Sequence, residues 1–241
     1  MMYSYQLQQH NIFIMTALSK LINLLHLHFK YIFMGLSIHY SGRITDKQKL
    51  PLLIEELEEI SKVHGWKYYI YETEFPIGYY PDDEHDENLY GISMNPPECE
   101  PVAFSFASNG RLCGPMQFSC WAESTDETER KYLYMNSTKT QYAGAEIHKM
   151  VIGVFRYVES HYLSDFVMID EAQFWETGDE NLLVENFRLN TELINSFTEV
   201  LSVNTRHKDE DIDTYFERII KVFREKRDES CSENSNETTP D

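Results

Sequence analysis

Apolar and polar positions alternate from the first clearly patterned stretch of this chain. Leu36, Ile38 and Tyr40 are separated by Ser37, His39 and Ser41, with Gly42 following; a period of two marks a strand with one buried face. Leu50, Leu53, Ile54, Leu57, Ile60 and Val63 then recur at three- and four-residue spacing, between Asp46 and Gly65, which predicts a helix with Pro51 in its first turn. Aromatic and β-branched content predicts a strand over 67–72. Shorter strands are expected over 89–94, closed by Pro96-Pro97, and over 102–107, closed by the Asn109-Gly110 turn. Residues 118–121 are expected to extend that hairpin, and 132–140 to form a longer strand. A second helix is predicted over 143–162, with Ile147, Val151, Val154, Phe155 and Val158 on its buried side. A short strand over 166–169 follows, then helices over about 179–201 and 212–223.

The expected order is β-α-β-β-β-β-α-β-α. Consecutive strands imply hairpins, and the β-α-β passages imply crossover helices. The fold class is therefore α+β, with a single mixed or antiparallel sheet and helices packed mainly on one face. The open face should carry Ser37, His39 and Ser41. The domain is expected to span 35–205, with a helical extension over 206–226. Residues 227–241 contain no apolar side chain except Cys231, so a disordered acidic tail is expected there.

Residues 1–33 are apolar but interrupted by Lys20, Asn23, His26, His28 and Lys30. A transmembrane helix needs about 20 mostly apolar residues, and a secretory signal needs positive charge ahead of its apolar stretch. Neither pattern is met. The favoured reading is a native start at Met34, with an amphipathic docking helix as the weaker one. His26 and His28, at i and i+2, would point apart on a helix.

Charge narrows the function. The chain has 21 Lys and Arg against 40 Asp and Glu, a formal net charge of −19. Residues 1–43 carry no acid, whereas 44–205 carry 29 acids against 11 bases. The acidity lies on the body of the chain and argues against phosphate-backbone recognition, and so against nucleic acid as a partner. It favours a basic protein partner, as in an immunity-type protein that neutralises a toxin. Two stretches concentrate it: 76–88 (PIGYYPDDEHDEN) and 122–130 (AESTDETER), both read as exposed loops. Cys99, Cys113, Cys120 and Cys231 form no CxxC pair. Without a signal peptide a reducing, cytoplasmic setting is expected.

No P-loop, GxGxxG, GxSxG, HExxH or zinc-finger spacing occurs, and no cofactor or metal is assigned. Two polar segments at element ends remain. Lys139, Thr140, Gln141 and Tyr142 lead into a helix holding Glu146 and His148, a corner suited to anions or to ordinary capping. Asp170 and Glu171 follow a buried strand, with Trp175 and Glu176 close behind. Paired carboxylates there suit acid–base or metal chemistry, and the Trp suits a ligand or partner. The alternative to an interaction protein is thus a hydrolase, metal-assisted or not. Its candidate catalytic residues are His39, Lys139, His148, Glu171 and Glu176. Thr140, Gln141, Tyr142 and Trp175 would be its ligand-binding residues.

The strings SIHYSG (37–42), PPECEP (96–101), TKTQYAG (138–144) and DEAQFWETGD (170–179) together resemble a family of uncharacterised bacterial proteins. The similarity extends over about residues 35–200, and many members begin near the equivalent of Met34. The resemblance supports the start-site reading and implies no activity, ligand or catalytic residue.

Overall fold

The structure, a computed structural model, describes residues 35–234, with side chains as far as residue 226. The leader over 1–33, Met34 and residues 235–241 lie outside the described residues. The chain forms two compact units, one comprising Gly35–Asn190 and the other including Thr191 onward.

In the first unit, β1 (Ser37–Ile44) leads through a 3-10 turn to α1 (Leu50–His64). Asp46 caps the turn by accepting the Gln48 amide at 2.9 Å, and Gly65 ends α1 in the left-handed region, φ 66°. There follow β2 (Lys67–Ile70), β3 (Tyr90–Asn95), β4 (Val102–Phe106), α2 (Pro115–Trp121), α3 (Glu127–Arg130) and β5 (Asn136–Lys139). Next come α4 (Gly144–Tyr162), β6 (Leu163–Asp170), α5 (Phe174–Thr177) and α6 (Glu180–Val203), whose residues from Thr191 on belong to the second unit.

The α+β class holds, but the strands divide into two antiparallel sheets of three, ordered β5-β1-β6 and β2-β3-β4. This corrects the single-sheet expectation. Between the sheets, Arg111 and Leu112 make only isolated bridges, to Arg43 and Phe106, so the hairpin after the Asn109-Gly110 turn never becomes a full strand. One core nevertheless serves both sheets: Ile38, Leu53, Leu57, Ile92, Phe104 and Phe155 are fully buried together. Glu56 of α1 ties that core to α4 by accepting the hydroxyls of Tyr157 (2.8 Å) and Tyr162 (2.5 Å).

Two other expectations are corrected. Residues 118–121 lie in α2, because Gly114-Pro115 opens a helix with proline in its first turn. The Phe118 and Trp121 side chains pack against Cys113, Leu133 and Tyr134 in a second, smaller core. Residues 131–134 form a 3-10 turn instead of the start of a strand, and only Asn136–Lys139 pairs with β1.

In the second unit, α7 (Ile212–Asn234) runs into the segment expected to lack structure. Val200, Ile219 and Phe223 are buried together, Phe197 meets Phe223 edge-on at 5.4 Å, and Lys226 pairs with Glu199 at 2.6 Å. Arg218 grips Glu210 through Nε and Nη2, and this holds the Glu210 carboxyl at about 2. No described helix is long and apolar enough to cross a membrane.

Candidate functional site

Successive residues of a strand point to opposite faces. At the end of β6 this separates two carboxylates: Asp170 pairs with Ile38 of β1 on the core side, and Glu171 falls on the open side. Each holds a histidine.

On the core side, α4 delivers His148 with no exposed surface. Its Nε2 lies 3.1 Å from Asp170 Oδ2, and its Nδ1 lies 2.7 Å from Thr140 Oγ1. An ionised carboxylate only accepts, so Nε2 carries a proton towards Asp170. Asp170 also accepts the amides of Ala172 (2.9 Å), Phe174 (2.8 Å) and Trp175 (3.0 Å), which anchors the first turn of α5. Burial alone would raise the Asp170 carboxyl; the hydrogen bond and charge of His148, with the amides, outweigh it and hold the group below its ordinary value. Glu176 closes the turn by accepting the Asp170 amide at 3.2 Å.

On the open side, Glu171 Oε1 lies 3.1 Å from His39 Nε2, and Oε2 accepts the Ser37 amide at 2.8 Å. The His39 side chain is 47% exposed. Lys139 stands opposite Ser37, and Ser137 opposite His39, so Lys139 shares this face, as do the exposed Val167 and Ile169. The open-face expectation for His39 is met.

The five candidate catalytic residues therefore do not line one pocket, because the sheet stands between His148 and His39. Among the candidate ligand-binding residues, Thr140 is buried in the His148 network. Gln141 is buried beside Gly35, with its Oε1 unpartnered. Tyr142 is exposed. Trp175 is half-buried, edge-on to Phe166 at 5.8 Å, and its carbonyl accepts Arg156 Nη2 at 3.2 Å. Thr140, His148 and Asp170 have the order of a nucleophile, base and orienting carboxylate. With the hydroxyl and imidazole fully buried, the arrangement fastens β5, α4 and β6 together and presents nothing to a substrate.

Two concavities lie elsewhere, where the two acidic stretches meet; the second of these, expected as a loop over 122–130, forms α3 from Glu127 on, with Asp126 capping it through the Thr128 amide. A groove of about 800 Å³ is lined by His85, Asp86 and Glu87 of the first acidic stretch, by Phe118 and Cys120 of α2, and by Glu123, Asp126 and Glu129 of the second acidic stretch. A neighbouring cleft of about 480 Å³ is lined by Asp82, Asp83, Arg111, Glu127, Arg130, Lys131, Leu133 and Tyr134. The sequence marks both loops as acidic but contains no signal that they converge. Among the described residues no group of three or more His, Cys, Asp or Glu is placed to hold a metal ion. Compared with protein-family models, curated proteins and solved structures, the chain has no match.

Proposed function

We propose that this chain is an acidic interaction protein whose first unit takes a basic segment of a partner protein into the groove between residues 85–87 and 123–129. One observation carries this reading: two acidic stretches distant in sequence, a loop at 85–87 and the segment 123–129 that runs into α3, line a single groove. None of Asp86, Glu87, Glu123, Asp126 and Glu129 forms an ion pair among the described residues. Unneutralised carboxylates in a concavity focus negative potential, speed the approach of a basic partner and repel acidic ones. At the head of the first loop, Ile77 and Tyr79 are almost wholly exposed, and side chains of this kind anchor protein interfaces. A toxin-neutralising role of the immunity kind is the form of this reading that the charge favours, and the free thiols of Cys99, Cys113 and Cys120 agree with a reducing, cytoplasmic setting. The hydrolase alternative needs His39, Lys139, His148, Glu171 and Glu176 in one pocket, and the separation of the exposed His39 from the buried His148 weighs against it.

The test is titration of the full chain with an arginine-rich peptide and with a glutamate-rich peptide of equal length. Binding of the basic peptide alone is expected, weakening as salt rises. The double variant Glu87→Lys with Glu123→Lys should lose at least tenfold in affinity. Equal binding of both peptides, or no loss in the double variant, overturns the reading.

A further inference from the structure

On this acidic chain, two guanidinium groups line one cleft without either forming an ion pair among the described residues. Arg111 follows the Asn109-Gly110 turn and lays its guanidinium over the Tyr134 ring, 3.6 Å from the centroid. Arg130 ends α3 and donates to the Asp83 carbonyl. Neither has an ion-pair partner among the described residues, and nor does Lys131. All three line the cleft of about 480 Å³. The Tyr134 hydroxyl is buried and accepts Asn109 Nδ2 at 2.8 Å, while its own proton meets no acceptor among the described residues.

We propose that this cleft is a phosphoryl-binding site, in which Arg111 and Arg130 grip the oxygens of a phosphate monoester or inorganic phosphate and Lys131 and the Tyr134 hydroxyl complete the shell. Planar guanidinium forks match such oxygens with two parallel hydrogen bonds each. Stacking on Tyr134 holds one fork ready, so little side-chain freedom is lost when the ligand arrives. The acidic groups of the cleft set the strength of binding. Asp82 is engaged by Arg43 at 2.8 Å, whereas Asp83 and Glu127 oppose an anion. Removing their charge should therefore tighten the site.

The experiment is calorimetric titration of the full chain with inorganic phosphate, and in parallel with a phosphoserine peptide and its unphosphorylated counterpart. One-to-one saturable binding of phosphate, of the phosphopeptide or of both is expected, and the stronger of the two identifies the source of the group. Arg111→Gln and Arg130→Gln should each weaken it by about tenfold or more, which corresponds to about 1.4 kcal/mol. Asp83→Asn should strengthen it severalfold. Thermal unfolding of each variant separates lost binding from lost fold, and the exposed Lys131→Gln supplies a weakened variant that leaves the Tyr134 stack in place. Absence of saturable binding with both phosphoryl probes, or unchanged affinity in both folded arginine variants, overturns the proposal.

Discussion

The hydroxyl of Tyr40 donates to the Ala103 carbonyl at 3.2 Å and accepts the Ala103 amide at 3.0 Å. One side chain of β1 thereby satisfies both backbone groups of a β4 residue and stitches the two sheets where no ladder runs between them. Replacement by Phe keeps the ring, which packs on Phe155 at 4.6 Å, but leaves a buried donor and acceptor unpaired. Tyr40→Phe should cost about 1–3 kcal/mol in urea unfolding. Burial pushes this phenol up to about 12, against the lowering effects of Thr138 and Ala103. Its folded value is thus above the unfolded one of about 10. The stabilisation is complete below about pH 10 and is lost as pH rises towards 12, because the unfolded chain ionises first. Tyr40→Phe should flatten the alkaline loss of stability relative to the unmodified chain.

The His148–Asp170 pair has the opposite pH sign. Asp170 is held below its ordinary value, so its contribution is present above the unfolded carboxyl value of about 4 and disappears as pH falls through the folded value. His148→Phe leaves a buried carboxylate without its histidine and should destabilise by about 3–5 kcal/mol at neutral pH. Asp170→Asn should also destabilise, with less further loss in acid. A double-mutant cycle of His148→Gln and Asp170→Asn isolates the coupling; additive losses would mean that the contact at 3.1 Å contributes nothing as a pair.

These two relationships show where sequence legibility stops. The faces of β1 and α1 can be read because Leu36, Ile38 and Tyr40, and then Leu50, Leu53, Ile54 and Leu57, keep a period that burial alone imposes. Residues 118–121 cannot be read the same way, since four residues are too few to show a period, and it is Pro115 in the first turn that marks a helix. Periodicity places a strand's faces but not its partner, so it leaves open that Arg111 and Leu112 make only single bridges. His148 illustrates the same limit in the site. Its position near the start of a helix is visible in the sequence, but its surroundings come from elsewhere in the chain: Asp170 of β6 and Phe187 of α6, whose ring lies 5.5 Å away. The phosphoryl cleft has no local motif at all, because Arg111 and Arg130 meet only through the fold.

Gly91 gives a packing test of the second sheet. It holds φ 124°, and a Cβ there would lie 2.3 Å from the Phe104 carbonyl oxygen. Its own amide and carbonyl are fixed to Glu72 and Tyr71 at 2.9 Å each, so the strand cannot step aside. Gly91→Ala should cost more than the roughly 1–3 kcal/mol of backbone strain alone. In a chain of this size each kcal/mol lowers Tm by about 2–4 °C. Gly153, within α4, has nothing within 4 Å of an added Cβ. Gly153→Ala should raise stability by about 0.4–1 kcal/mol, and a similar fall in both variants would contradict the close backbone approach at Gly91.

Cysteine reactivity can report on the acidic groove. Burial pushes the thiols of Cys99 and Cys113 up to about 12; Glu100 adds to the effect at Cys99, while Arg111 slightly opposes it at Cys113. Thiolate is the reactive form, so at pH 8 roughly one molecule in ten thousand is reactive at either site. Cys120 is exposed and lines the groove. Brief alkylation of the folded chain, followed by peptide mass analysis of these three sites, should mark Cys120 and leave Cys99 and Cys113 unmodified. A bound arginine-rich peptide should slow the reaction at Cys120, since it would cover the wall between Phe118 and Glu123. Reaction at Cys113 would require α2 to lift from Leu133 and Tyr134, so its rate measures how often that part of the groove opens. Labelling of Cys113 as fast as Cys120 would mean that the wall is not closed over its small core, and the groove would then lack the fixed shape that recognition of a basic segment needs.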